Sequence, residues 1–192
     1  FTLESDPSFR PTCLVYSQYR YTHQEVDAPR SLEVSCNYFY YELGDKMALS
    51  HIDSTAKALG LGESTGVELF EYLGHRANPE TKANLHPDDL GRWYAADNVM
   101  TAIGQSENRF TPMQLCVYTN TLANRGVRYK ATFLNRVVAS DYRTLVYQNE
   151  PVVASTLKMS NATYGTIVQG MKQVITGPSG TARNTMQGMS VE

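Results

Sequence analysis

The 192-residue sequence is poor in the residues from which scaffolds and metal centres are usually recognised. Its three cysteines, Cys13, Cys36 and Cys116, are odd in number, far apart and without a Cys-x-x-Cys pair, so neither a disulfide framework nor a zinc site is indicated. Its four histidines, His23, His51, His75 and His86, form no His-x-x-x-His pair, so metal catalysis is unsupported and no cofactor is expected. Charge of one sign is also missing. Seventeen Lys plus Arg against nineteen Asp plus Glu leave a formal charge of -2, which argues against nucleic acid as a partner. No apolar run approaches the roughly 18 to 20 residues of a membrane span, and Phe1-Thr2-Leu3-Glu4-Ser5-Asp6 lacks a signal-peptide pattern. Gly60 to Gly66 is not followed by Lys-Ser/Thr, which excludes a phosphate-binding loop. There is no initiator Met, so the chain is expected to be part of a longer protein.

What is present is enough chain for one substantial core and a set of helix signals. Asp27 precedes Pro29 in the segment ending at Val34, where Asp can cap free N–H groups and proline falls in the first turn. Asn37 to Met47 carries Phe39, Tyr40, Leu43 and Met47 at helical spacing. Between the two lies Ser35-Cys36-Asn37. Ser and Asn in such a place either cap the helices by bonding nearby backbone or present a hydroxyl and an amide to a cleft.

Residues 1–26 read as an extended lead-in, because Pro7 and Pro11 interrupt them and no period is sustained. His51 to Leu59 forms a helix stopped by Gly60, Val67 to Phe70 a short strand, and 74–92 a polar irregular stretch. In that stretch Asp88 and Asp89 read as a solvated loop or cap rather than a catalytic pair. Thr111 caps a helix with Pro112 in first position, a predicted buried stripe of Leu115, Tyr118, Thr119 and Leu122, and a stop at Gly126. Beyond it the period turns to alternation. Residues 132–138 and 142–147 read as a hairpin, Ser160 caps a helix facing inward with Tyr164, Ile167, Val168, Met171 and Val174, and 183–192 approach a further element. Periodicity alone therefore gives a mixed α+β domain, mainly helical over 1–126, with a hairpin and helix over 127–192.

Four segments in order resemble the transpeptidase domain of class B, monofunctional penicillin-binding proteins. They are residues 31–44 around Ser35-Cys36-Asn37, residues 58–69 (Ala-Leu-Gly-Leu-Gly-Glu-Ser-Thr-Gly-Val-Glu-Leu), Ala102-Ile103-Gly104-Gln105 with Thr111 to Leu115, and Gly180-Thr181-Ala182. The resemblance implies a serine beta-lactamase/D,D-transpeptidase-like fold, a helical cluster packed on an antiparallel sheet with the active site between them, here incomplete. It also implies three motifs, Ser-x-x-Lys, Ser-x-Asn and Lys-Thr/Ser-Gly. Only the middle one is present. Ser54 to Lys57 and Ser155 to Lys158 both spell Ser-x-x-Lys but follow Ser35 instead of preceding it, and Pro178-Ser-Gly-Thr-Ala182 has no lysine before its glycine.

The implied reaction is peptidoglycan cross-linking through a serine acyl-enzyme. A serine needs a nearby base to take its proton; both residues are expected outside this chain. The resemblance assigns Ser35 a proton relay, Asn37 a hold on the lysine and on the substrate amide, and Cys36 a place in the substrate-binding turn. A Cys-His protease built on Cys36 with His23 or His51 is an alternative, against which stands a small buried thiol. The partners implied are D-Ala-D-Ala stem peptides, beta-lactams and the cell-wall elongation or division machinery. The place implied is the outer side of a bacterial cell membrane, with the anchor outside these residues. A beta-lactam sensor without turnover, a catalytically dead relative and a serine beta-lactamase are the competing readings.

Overall fold

The computed structural model describes residues 1–89 and 91–189, with backbone only at Asp89. The chain order is α1 (Leu14–Tyr19), α2 (Ala28–Glu33), α3 (Asn37–Lys46), α4 (Leu49–Ala58), α5 (Pro79–Leu85), α6 (Ala95–Ala102), α7 (Pro112–Ala123), β1 (Val127–Tyr129), β2 (Arg136–Val138), β3 (Leu145–Gln148), β4 (Val153–Thr156) and α8 (Asn161–Thr176). It is a mixed α+β chain whose strand pairs are antiparallel. Two compact units are each built from separated stretches of the sequence: Phe1–Leu49, Arg92–Ser106 and Met159–Glu192 form the first, Ser50–Gly91 and Glu107–Lys158 the second.

The helix starts follow the capping chemistry. Asp27 accepts the Arg30 N–H at 2.8 Å, Ser160 accepts that of Thr163 at 3.0 Å, and Thr111 with Gln114 forms a reciprocal capping box before Pro112. In the first unit α2 packs along α8 and α3 against α6. The close approaches are made at glycine: a Cβ on Gly170 would lie 2.5 Å from Leu32, and one on Gly44 would lie 2.6 Å from the Ala102 methyl. The core centres on Leu3, Tyr41 and Val99, with Phe1, Phe9, Ala96, Met100 and Ile103 around them. The lead-in predicted as extended therefore supplies core residues and the short helix α1.

In the second unit α7 packs on β1. The expected single sheet is represented by two ribbons, β1 with β4 and β2 with β3. The hairpin β2–β3 is found where alternation placed it, but it begins later, at Arg136. Residues 132–134 are held differently, since Glu68 receives the Thr132 hydroxyl and the N–H groups of Phe133 and Leu134. The same arrangement removes the strand predicted at 67–70. That stretch has no ladder partner among the described residues, and Phe70 is 86% exposed. The predicted polar loop at 74–92 contains α5, whose start is capped by Asn78 accepting the Thr81 N–H at 2.8 Å, and a 3-10 turn over Pro87–Asp89. Of the tail 183–192, residues 190–192 lie outside the described residues.

Two predicted apolar faces are rotated in the structure and a third is only half-buried. In α7 the buried side chains are Gln114, Val117, Thr121 and Leu122, while Leu115 is exposed. Gln114 sets that rotation by donating from Nε2 to the carbonyls of Glu63 and Leu73, each at 2.7 Å. In α3 the buried positions are Tyr41 and Gly44, with Leu43 exposed. In α8 the fully buried residue is Gly170, and the predicted face is half-buried with Met171 exposed.

Candidate functional site

The turn between α2 and α3 is built from the end of α2. The Ser35 N–H reaches the Leu32 carbonyl at 3.2 Å and the Cys36 N–H reaches the Ser31 carbonyl at 2.9 Å. These two bonds form a Schellman ending, in which the residue at Ser35's place takes the left-handed conformation that glycine ordinarily supplies. Ser35 takes it with φ +52°. For a residue with a Cβ this costs about 1–2 kcal/mol, and such strain is found where the surroundings over-determine it, often at functional positions.

Neither side chain of the predicted pair acts as a cap. The N-cap position of α3 is Cys36, and Asn37 is the first helical residue. The Asn37 amide instead meets the Tyr41 hydroxyl, one turn along α3. Tyr41 is buried in the core, and burial raises its pKa. Ser35 is exposed, and among the described residues its hydroxyl has no hydrogen-bond partner. The turn thus presents one free hydroxyl and, two residues later, one amide.

Cys36 points the other way. It is 4% exposed and lines a cavity on the inner side of the turn. Burial pushes the Cys36 thiol up, against the N–H groups of Phe39 and Tyr38, which favour the thiolate. A reactive protease cysteine needs the opposite shift. His51, the other proposed partner, lies on α4 in the second unit.

His23 is drawn into a cluster that the spacings did not signal. Its Nδ1 lies 3.6 Å from the Cys13 sulfur, and the donor atoms of Cys13, His23 and Cys36 all lie within 4.8 Å of one another. Burial and then the Arg30 charge lower the His23 pKa, which keeps the imidazole in its ligand form near neutrality. Two thiols and one imidazole could hold one borderline cation such as Zn(II), with a fourth position open. The cluster borders a 370 Å³ cavity lined also by Val15, Tyr16, Tyr21 and Val26. A search of the sequence for paired short spacings misses this set, because the intervals between its members are long and unequal.

Both Ser-x-x-Lys decoys have their serine hydroxyl engaged in hydrogen bonds. Ser54 Oγ donates to the His51 carbonyl within α4 at 3.3 Å. Ser155 Oγ donates to the Ala58 carbonyl at 2.8 Å and accepts from Arg128 Nε at 2.7 Å. Gly180-Thr181-Ala182 lies against α2, with the Thr181 N–H on the Glu33 carbonyl at 3.2 Å.

Comparison with known proteins supplies the family. Residues 6–192 match the family model of the penicillin binding protein transpeptidase domain, and the chain belongs to that family. Among its relatives is the peptidoglycan D,D-transpeptidase MrdA of Salmonella typhimurium, 26% identical over 160 residues that cover 83% of this chain and 25% of the relative. The solved penicillin-binding protein 2B of Streptococcus pneumoniae superposes with a TM-score of 0.75 at 24% identity, covering 96% of this chain and 32% of that one. The penicillin-binding protein PBP2 of Helicobacter pylori, solved in complex with MreC, superposes with a TM-score of 0.70 at 21% identity, covering 86% and 29%. At these identities the superpositions establish the fold. The chain spans about a quarter to a third of these relatives.

Proposed function

We propose that these residues form the Ser-x-Asn section of a peptidoglycan D,D-transpeptidase, with Ser35 and Asn37 as its working side chains. The observation that carries the reading is Ser35 itself, a non-glycine residue in a left-handed turn position with an exposed hydroxyl that caps nothing. A hydroxyl donates and accepts in one step, so Ser35 can pass a proton between a neighbouring lysine and the leaving or entering amine. Positioned proton transfer of this kind is worth about 100- to 10,000-fold in rate. Asn37, with an acceptor and two donors, can hold that lysine and the substrate backbone. Cys36 serves as the buried anchor between them.

In this reading the nucleophile is a serine of a Ser-x-x-Lys motif elsewhere in the parent protein. Its substrates are stem peptides ending in D-Ala-D-Ala, and beta-lactams acylate the same serine. The section works on the outer face of a bacterial membrane, held by an anchor in another part of the protein, and its protein partners are cell-wall elongation or division components of the MreC kind. No helix of the described residues is long and apolar enough to cross a membrane.

The test is labelling with a fluorescent penicillin. The parent protein is expected to become covalently labelled on a serine of a Ser-x-x-Lys motif, and the 192-residue chain alone is expected to stay unlabelled. Failure of the parent protein to label contradicts the transpeptidase reading, and label on Ser35, Ser54 or Ser155 contradicts the assignment of roles.

A further inference from the structure

Glu33 is a charged residue that the proposed mechanism leaves unused, although it lies two positions before Ser35. It is 3% exposed, and carboxylates are almost never buried to that degree unless paired. Its carboxylate meets Arg30 Nη1 at 2.8 Å and accepts the Ser179 N–H at 3.0 Å. Its backbone carbonyl accepts the Thr181 N–H at 3.2 Å. Arg30 closes the ring by donating from Nη2 to the Ser179 hydroxyl at 3.3 Å. The contact is tight enough that a Cβ on Gly177 would overlap the Glu33 carboxylate.

The consequence falls on the turn. Glu33 is the last residue of α2, and the two bonds that wind Ser35 into its left-handed conformation end on the carbonyls of Leu32 and Ser31, one and two residues before it. A strained turn keeps its geometry only if the helix end beneath it is held. Residues 177–181 hold it, through Glu33.

We propose that Glu33 is a positioning residue for Ser35: by clamping the end of α2 to residues 177–181 it fixes where the Ser35 hydroxyl stands during acyl transfer. The inference rests on the transpeptidase reading of Ser35. It does not make Glu33 a catalytic residue, since Glu33 touches no reacting group. Its action is on geometry, and small misplacements of a working group can cost on the order of 100-fold in rate.

The experiment uses the parent protein. Active sites are first titrated with fluorescent penicillin, and the acylation rate constant per titrated site is then measured for the wild type, Glu33→Ala and Glu33→Gln, together with the dissociation constant of the initial complex. Glu33→Ala is expected to lower the rate constant per site by about 10- to 100-fold with the initial dissociation constant unchanged. Glu33→Gln keeps one acceptor for the Ser179 N–H and loses the Arg30 pair, so it is expected to fall between the two. Should Glu33→Ala fail to fold, the glutamine variant decides. A rate constant per site equal to the wild type in the glutamine variant, or a mere loss of titratable sites at constant rate, overturns the proposal. A wild type that cannot be titrated overturns the transpeptidase reading instead.

Discussion

The Glu33 carboxylate accepts the backbone N–H of Ser179 at 3.0 Å, across 146 positions of sequence. The bond ties the helix that ends at the Ser35 turn to the segment following α8. It also makes the first unit acid-sensitive in a defined way.

The Arg30 hydrogen bond holds the Glu33 carboxyl below its ordinary value of 4.5. A group with a lowered folded pKa contributes stability that is fully present above the unfolded value and is lost as pH falls through the folded one. Stability of the wild-type chain is therefore expected to decline below about pH 4.5 more steeply than that of Glu33→Gln. The comparison cancels the other depressed carboxylates, among them Glu68 and Asp141, each at about 2. Urea melts from pH 3 to pH 7 check it, and parallel pH profiles would refute the role of the ion pair.

Two of the helical glycines, Gly44 and Gly165, should respond oppositely to alanine. At Gly165 nothing lies within 4 Å of an added Cβ, so Gly165→Ala is expected to stabilise by about 0.4–1 kcal/mol through the unfolded chain and helix propensity. At Gly44 the methyl would meet Ala102 at 2.6 Å and the Asn98 carbonyl at 3.1 Å. Overpacking of that kind costs about 1–3 kcal/mol and outweighs the propensity gain. Thermal melts of the two variants decide, and equal shifts would contradict the α3–α6 packing.

Cys13, His23 and Cys36 predict uptake of one Zn(II) or Co(II) ion. Co(II) bound by thiolates is expected to give a sulfur-to-metal charge-transfer absorption that is weakened in Cys36→Ser and absent when Cys13 and Cys36 are both replaced by serine, and Zn(II) at a hundred times its dissociation constant would stabilise the fold by about 2.7 kcal/mol. Absence of the absorption with both cysteines reduced would remove the cluster as a metal site.

How much of this was readable in advance differs by element, for physical reasons. The starts of α2, α7 and α8 are local matters, settled by Asp27, by Thr111 with Pro112 and Gln114, and by Ser160, and each could be read from a few residues. The inward face of α7 could not. Apolar residues surround that helix, and its rotation is set by Gln114 reaching Glu63 and Leu73, residues more than forty positions away. The segment at 67–70 spells a strand, yet Glu68 makes side-chain bonds to 132–134 in place of a ladder. The β1–β4 pair was missed because Val127 to Tyr129 is too short to show alternation. At the proposed site, the assignment of Ser35 and Asn37 rests on the resemblance. The left-handed backbone at Ser35, the clamp at Glu33 and the meeting of Cys13 with His23 and Cys36 depend on tertiary placement and leave no mark in spacing.

The most direct test of the central claim is Ser35→Gly in the parent protein, with the rate of acylation by a labelled penicillin measured beside the melting temperature. Glycine accepts the left-handed conformation freely, so relief of strain is expected to raise stability by about 1 kcal/mol, while loss of the relay hydroxyl slows acylation by about 100- to 10,000-fold. Acylation at the wild-type rate in the glycine variant would contradict the account and return Ser35 to a structural turn residue.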